Sequence, residues 1–284
     1  MPLLIFGETG QVARELRALA PDAIALGRDT VDLSDPRACA DVIRQMAPSA
    51  VINAAAYTAV DAAEEDEQNA TIINVHAPTM MARACAEIGA PLVHISTDYV
   101  LDGQGSAPFA TTAKTAPINA YGRSKEAGES GVRAAGGTYA ILRTSWVYSS
   151  TGNNFLRTML RLGATRDSLN IVNDQIGGPT PAHAIAQACL TIAQALKTAP
   201  EKSGIYHFSG APDVSWADFA RAIFEAANLK TKVHGIPSED YPTPASRPLN
   251  SRMDCSALQT AFGIKRPDWR ASLPALIATI TSET

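Results

Sequence analysis

Cysteine is scarce and scattered in this sequence. The four cysteines, Cys39, Cys85, Cys189 and Cys255, lie far apart and include no Cys-x-x-Cys pair. That excludes both a zinc site and a disulfide framework as expectations, and no other metal is called for. Buried thiols in a reducing compartment are expected instead. Basic charge is also lacking. A formal net charge of −4 at pH 7 leaves no electrostatic footprint for nucleic acid. No apolar run approaches the roughly 18 residues of a membrane span. The chain enters an apolar run at residue 2 with no signal peptide, so a cytoplasmic location is expected.

What is present suits a globular enzyme. The 284 residues, 46% hydrophobic and 18% charged, allow a full core and one large domain with a smaller lobe. Residues 2–6 are apolar, and Gly7-Glu8-Thr9-Gly10-Gln11-Val12-Ala13 then leads into Arg14-Glu15-Leu16-Arg17-Ala18-Leu19. Strand, glycine turn and helix in that order suit a pyrophosphate, because glycine lets backbone N–H groups approach it and the helix N-terminus stabilises it. The spacing Gly-x-x-Gly-x-x-Ala is weak by itself, and its place after an N-terminal strand strengthens it. A second apolar run ends at Gly27-Arg28. NAD-preferring sites carry an acid at such a strand end; Arg accommodates a 2′-phosphate. A helix is expected from Asp35-Pro36, with a good cap and proline in its first turn.

Further apolar runs at Ser49–Ile52, Pro91–Ile95 and Thr138–Arg143 alternate with helical stretches at 70–88 and up to about Ala135. That alternation means α/β: a doubly wound parallel sheet. The small residues after Asn53 let a flat cofactor lie against the backbone. Residues 61–68 are acidic and read as solvated. His94, within an apolar strand, reads as a satisfied core histidine. Polar residues massed at Ser96-Thr97-Asp98-Tyr99-Val100 sit where open sheets place ligands. Tyr121 and Lys125 lie four residues apart, on one face of a helix. A nearby ammonium lowers a phenol's pKa, so Tyr121 could exchange a proton with a substrate oxygen while Thr97 supplies a second hydroxyl. Beyond Arg143 the rhythm changes. The stretch Asn173–Thr180 reads as a polar turn before a helix at 181–197, and 241–251 as a long non-periodic loop holding Arg247 between prolines.

Taken together, Gly7-x-x-Gly10-x-x-Ala13, Asn53-Ala54-Ala55-Ala56, Ser96-Thr97-Asp98-Tyr99-Val100 and Tyr121-x-x-x-Lys125 resemble the extended short-chain dehydrogenase/reductases. The match narrows to that superfamily's nucleotide-sugar 4-keto reductases through Arg143-Thr144-Ser145-Trp146-Val147-Tyr148, Asn153-Asn154-Phe155, Asn173-Asp174-Gln175 and Arg247-Pro248-x-Asn250-Ser251. The resemblance covers nearly the whole chain. It implies a Rossmann domain over residues 1–150, to which the segments around 170–200 can return, and a smaller C-terminal α/β substrate lobe over 151–284. It implies Thr97, Tyr121 and Lys125 as catalytic residues. Gly7, Gly10, Gln11, Val12, Arg28, Asp32, Leu33, Ala55, Ala56 and Tyr57 would hold the cofactor, together with Tyr121 and Lys125. Thr97, Asp98, Trp146, Asn154, Arg247 and Asn250 would hold the substrate. NADPH is the cofactor expected, with NADH as the alternative, since Gly27 replaces an acid. The substrate implied is a dTDP-linked 4-keto-6-deoxy sugar. Another nucleotide-linked 4-keto sugar, or a non-catalytic NADP-binding regulatory role, stays open, and a homodimer is compatible with the pattern.

Overall fold

The computed structural model describes residues 1–282. The chain runs β1 (Leu3–Phe6), α1 (Gln11–Leu19), β2 (Ile24–Leu26), α2 (Pro36–Met46) and β3 (Ala50–Asn53). It continues through α3 (Glu67–Thr71), a π-helical turn (Ile72–His76), α4 (Ala77–Ile88), β4 (Leu92–Thr97), α5 (Ala120–Ala134) and β5 (Tyr139–Thr144). Next come β6 (Val147–Tyr148), α6 (Phe155–Gly163), β7 (Ser168–Val172), β8 (Ile176–Gly177), β9 (Thr180–Pro181), α7 (Ala182–Leu196) and β10 (Gly204–Phe208). The remainder is β11 (Val214–Ser215), α8 (Trp216–Ala226), β12 (Lys232–Ile236), β13 (Asn250–Ser251), α9 (Ser256–Phe262) and α10 (Trp269–Ser282). No helix among the described residues is long and apolar enough to cross a membrane.

Six strands form one sheet in the order β2-β1-β3-β4-β5-β10, with every neighbouring pair parallel. The fold is α/β and doubly wound. Period-two alternation divides the strand side chains between two layers. Ile5, Ile52, Val93 and Leu142 pack with α1 and α7 on one face. Leu4, Phe6, Val51 and Ile141 pack with α2 and α4 on the other. The chain leaves β1 for the edge strand β2, then returns to β3 on the opposite side of β1. That reversal opens a crevice at the C-terminal ends of β1 and β3, where ligands bind in such sheets. A second core joins α6, α8 and α10 around Phe219, Phe224 and Trp269, beside the parallel pair β7–β12.

Local signals account for several boundaries. Asp35 caps α2, its Oδ1 accepting from the N–H groups of Arg37 (3.0 Å) and Ala38 (3.1 Å), with Pro36 in the first turn. The helical stretch expected over 70–88 is instead α3 and α4 joined by the π turn. The change in register brings Asn74 inward, where its Oδ1 accepts from Tyr57 N (2.9 Å). Its Nδ2 donates to Tyr57 O (3.0 Å) and Ser124 Oγ (2.9 Å), which ties the loop after β3 to α5. Single π turns of this kind recur where a helix serves a site. The acidic stretch 61–68, expected to be solvated, has partners. Glu64 accepts from Ala120 N (2.8 Å) at the start of α5, Glu67 pairs with Arg123 (3.0 Å) and Asp61 with Arg247 (2.8 Å).

Candidate active site

The glycine turn follows β1 directly. Gly7 has φ +115°, a region that favours glycine, and a Cβ there would lie 3.3 Å from both the Ala54 backbone and the Ala13 side chain. The Ala13 methyl thus sits against Gly7 and leaves little room for a side chain on residue 7. Gly10 caps α1 without any side-chain hydrogen bond, and the first turn of α1 carries no acid. A Cβ on Gly10 would meet nothing within 4 Å. The N-terminus of α1 therefore opens onto the crevice with free amide donors, which fits a cofactor diphosphate. Gln11 Oε1 accepts from Ser149 Oγ (2.9 Å) and Asn154 Nδ2 (2.9 Å), which fastens the turn to the segment after β6. Val12 and Leu33 are buried in the core, and Arg28 is exposed. Asp32 accepts from Ser34 N (2.9 Å) as a local turn. Ala55 N donates to Asn53 Oδ1 (3.1 Å), and Ala56 and Tyr57, which follow, are half-buried.

Thr97 ends β4, and Tyr121 and Lys125 lie one turn apart near the start of α5. What holds α5 in place is a buried ion pair: Arg143 on β5 donates to Glu129 through Nε (2.9 Å) and Nη2 (2.6 Å). Ser96 Oγ donates to the same carboxylate (2.6 Å). Close approach helps as well, since a Cβ on Gly122 would collide with the Tyr99 carbonyl. Thr97 Oγ1 donates to Asp98 Oδ1 (3.1 Å) and accepts from Tyr99 N (3.2 Å), and it is within hydrogen-bonding reach of the Tyr121 phenol. Tyr99 stands edge-on to Tyr121, with ring centroids 5.6 Å apart.

Burial governs the protonation of these groups. It pushes the Tyr121 phenol up, with Thr97 drawing it partly back and the Asp98 charge adding to the rise. Burial likewise raises the Asp98 carboxyl to about 6 and lowers the Lys125 ammonium to about 8. Among the described residues Asp98 Oδ2 has no hydrogen-bond partner, although Ser251 lies close enough to favour the carboxylate. Here the geometry corrects an expectation. Lys125 Nζ donates to Ile95 O (2.8 Å) and lies 3.4 Å from His94 Nε2, so its charge faces β4 and not the phenol. His94 is the satisfied core histidine expected, buried and with both ring nitrogens partnered. Its Nδ1 faces Asn53 Nδ2 at 3.1 Å, so it links the end of β3 to Lys125. Asn53 belongs to a motif of the resemblance without being given a role, and His94 does not stand out because an apolar strand context favours packing.

The residues expected to meet the substrate are tied into the protein. Trp146, at φ +49°, stacks on Trp216 with centroids 3.6 Å apart, and its indole also packs close to Gly177. Asn154 caps α6, its Oδ1 accepting from Arg157 N (3.1 Å) while Nδ2 donates to Gln11. Asn250 Nδ2 donates to Gln104 O (3.2 Å) and Ala107 O (2.9 Å), fixing the loop before α5. Arg247 donates to Asp61 Oδ2 (2.8 Å), so a diphosphate would have to compete with that carboxylate.

A family model for the RmlD substrate binding domain matches residues 1–282. The chain belongs to that family. The family's relatives match it end to end. A dTDP-4-dehydrorhamnose reductase of Sinorhizobium fredii (strain NBRC 101917 / NGR234) is 44% identical, covering 98% of this chain and 97% of its own. One from Burkholderia thailandensis is 42% identical over all of both chains. Among solved structures, a dTDP-4-dehydrorhamnose reductase from Clostridium acetobutylicum ATCC 824 superposes with TM-score 0.93 at 35% identity, over 99% of this chain and 100% of its own. The Bacillus anthracis str. Ames enzyme of the same name, in complex with NADP, gives TM-score 0.90 at 33% identity over the whole of both chains. The RmlD family's α/β architecture is therefore this chain's architecture.

Proposed function

We propose that this protein reduces the C4 carbonyl of dTDP-4-dehydro-L-rhamnose to give dTDP-L-rhamnose, with NADPH as electron donor and NADH as the alternative. The observation that carries the reading is the Thr97–Asp98–Tyr121 cluster at the end of β4, beside a crevice with an open helix N-terminus. When bound, the dinucleotide supplies the hydride that goes to C4. Gly7, Gly10 and the first turn of α1 would hold its diphosphate, and Ala55, Ala56 and Tyr57 would flank it. Tyr121 delivers the proton that turns the forming alkoxide into an alcohol. Its raised pKa keeps the phenol protonated at neutral pH, which a proton donor requires. Thr97 hydrogen-bonds the same substrate oxygen and orients the phenol. Lys125 would hold the cofactor's ribose hydroxyls, and a positive charge there would ease proton loss from Tyr121 by stabilising phenolate. The exposed part of the Trp146 indole would meet the deoxysugar, Asp98 would line the pocket, and Asn154, Arg247 and Asn250 would border the diphosphate. The four cysteines, all buried thiols, suit the reducing cytoplasm where we place the enzyme.

The test is NADPH oxidation by purified protein against a panel of dTDP- and UDP-linked 4-keto sugars. Fastest turnover with dTDP-4-dehydro-L-rhamnose is expected. No oxidation with any member, or a preference for a UDP sugar, overturns the assignment.

A further inference from the structure

We propose that Glu8, reaching across from the glycine turn, supplies the acid that holds the cofactor's adenosine ribose, and that Glu8 and Arg28 together set the balance between NADH and NADPH. The inference rests on the reductase reading. Dinucleotide-binding sheets hold the ribose 2′-hydroxyl with an acid at the end of the second strand. Here β2 ends at Leu26 and Gly27 follows, so the strand offers no side chain. The space is nevertheless filled. A Cβ on Gly27 would collide with Glu8 Oε2 and would lie 3.3 Å from Glu8 Cβ and 3.4 Å from its Cδ. A carboxylate thus stands where an acid on residue 27 would begin, delivered from a different element.

The neighbours leave this carboxylate free to act. Glu8 pairs with Arg17 at 3.5 Å, and both side chains are nearly half exposed. Such a pair is weak and screened, so a hydroxyl can compete for the carboxylate. Arg14 is committed through Nε to Thr9 O (2.9 Å). Glu8, Arg14 and Arg17 share one wall of an open cavity of about 580 Å³. Arg28, next to Gly27, is exposed and can turn toward a 2′-phosphate. The two side chains pull in opposite directions: Glu8 accepts from a 2′-hydroxyl and repels a 2′-phosphate, whereas Arg28 attracts the phosphate. The absence of an acid at residue 27 therefore does not commit the site to NADPH.

The measurement is the dissociation constant of NADH and of NADPH by calorimetry, without sugar, for the wild type and three variants. Glu8→Gln keeps the shape and removes the charge. It should shift the NADPH-to-NADH affinity ratio toward NADPH by roughly tenfold, the effect of one charge-assisted hydrogen bond. Gly27→Ala displaces the Glu8 carboxylate without altering any charge and should shift the ratio the same way. Arg28→Ala should shift it the opposite way. An unchanged ratio in both Glu8→Gln and Gly27→Ala, or a parallel loss of both nucleotides, overturns the proposal while leaving the reductase reading intact. A wild-type protein that binds neither nucleotide overturns both.

Discussion

Two side chains in the Thr97–Tyr121 cluster carry opposite demands on protonation. Tyr121 must keep its proton until the alkoxide forms, and burial secures that. Tyr121→Phe should lower kcat by roughly 10², the scale for loss of a general acid, with little effect on cofactor affinity in calorimetry. Near-normal turnover in that variant would mean another group gives the proton. Asp98 is the costly one. Its folded-state pKa of about 6 lies above the ordinary carboxylate value of 3.8, so the folded protein binds more protons than the unfolded chain between those values. Stability conferred by this group is then full below about pH 4 and is lost as pH rises through 6. Asp98→Asn should raise stability at pH 7 by up to about 3 kcal/mol and flatten the slope between pH 4 and 6 in denaturant titrations. An unchanged slope would show that Asp98 is not the titrating group. Sequence spacing placed Tyr121 and Lys125 on one helix face, and the strand-end position and the family resemblance added Thr97 and Asp98. Spacing did not give the direction of the Lys125 side chain, which depends on a β4 carbonyl and on His94, set by strand register.

At the scale of elements, helix α5 makes the site, and it is held by close approach as much as by charge. Gly128 sits inside this helix, where alanine would ordinarily gain about 1 kcal/mol. Here a Cβ would collide with the Asn74 carbonyl on the π turn and lie 3.6 Å from Pro78. Overpacking of that kind costs about 1–3 kcal/mol, so Gly128→Ala should destabilise despite its better propensity. Chemical denaturation reads the sign directly, and a stabilised variant would show that α5 can shift without loss. The strands and most helices were legible because their apolar periods of two and about 3.6 are local properties. The π turn was not. Asn74 and His76 interrupt the apolar pattern, but only the contact with Tyr57 and Ser124 shows that Asn74 faces inward. Glu8 escaped notice for a similar reason, since its partner Gly27 is nineteen residues away and contributes no side chain.

Across the whole molecule, the loop at 241–251 is fastened to the segments before α3 and α5. Asn119 Nδ2 donates to Ser246 O (2.8 Å), Ala245 N donates to Asp61 Oδ1 (3.1 Å), and Arg247 completes the clasp on Asp61. Arg247 is therefore either a structural fastener or a diphosphate ligand held in reserve by a carboxylate. The two roles predict different things for Asp61. As an ion pair with side chains 20% and 44% exposed, Arg247–Asp61 contributes less than about 1 kcal/mol to stability. A planar guanidinium meeting a diphosphate contributes more, about 1.5–3 kcal/mol for a charge-assisted hydrogen bond. We expect the ligand role, because a protein of net charge −4 must meet a diphosphate with local cations. Arg247→Ala should then weaken dTDP binding in calorimetry by about 1.5–3 kcal/mol while leaving NADPH affinity unchanged. Asp61→Asn, which keeps an acceptor and removes the competing charge, should tighten dTDP. If Asp61→Asn instead weakens dTDP as much as Arg247→Ala does, the pair acts only by docking the loop, and the diphosphate is held elsewhere.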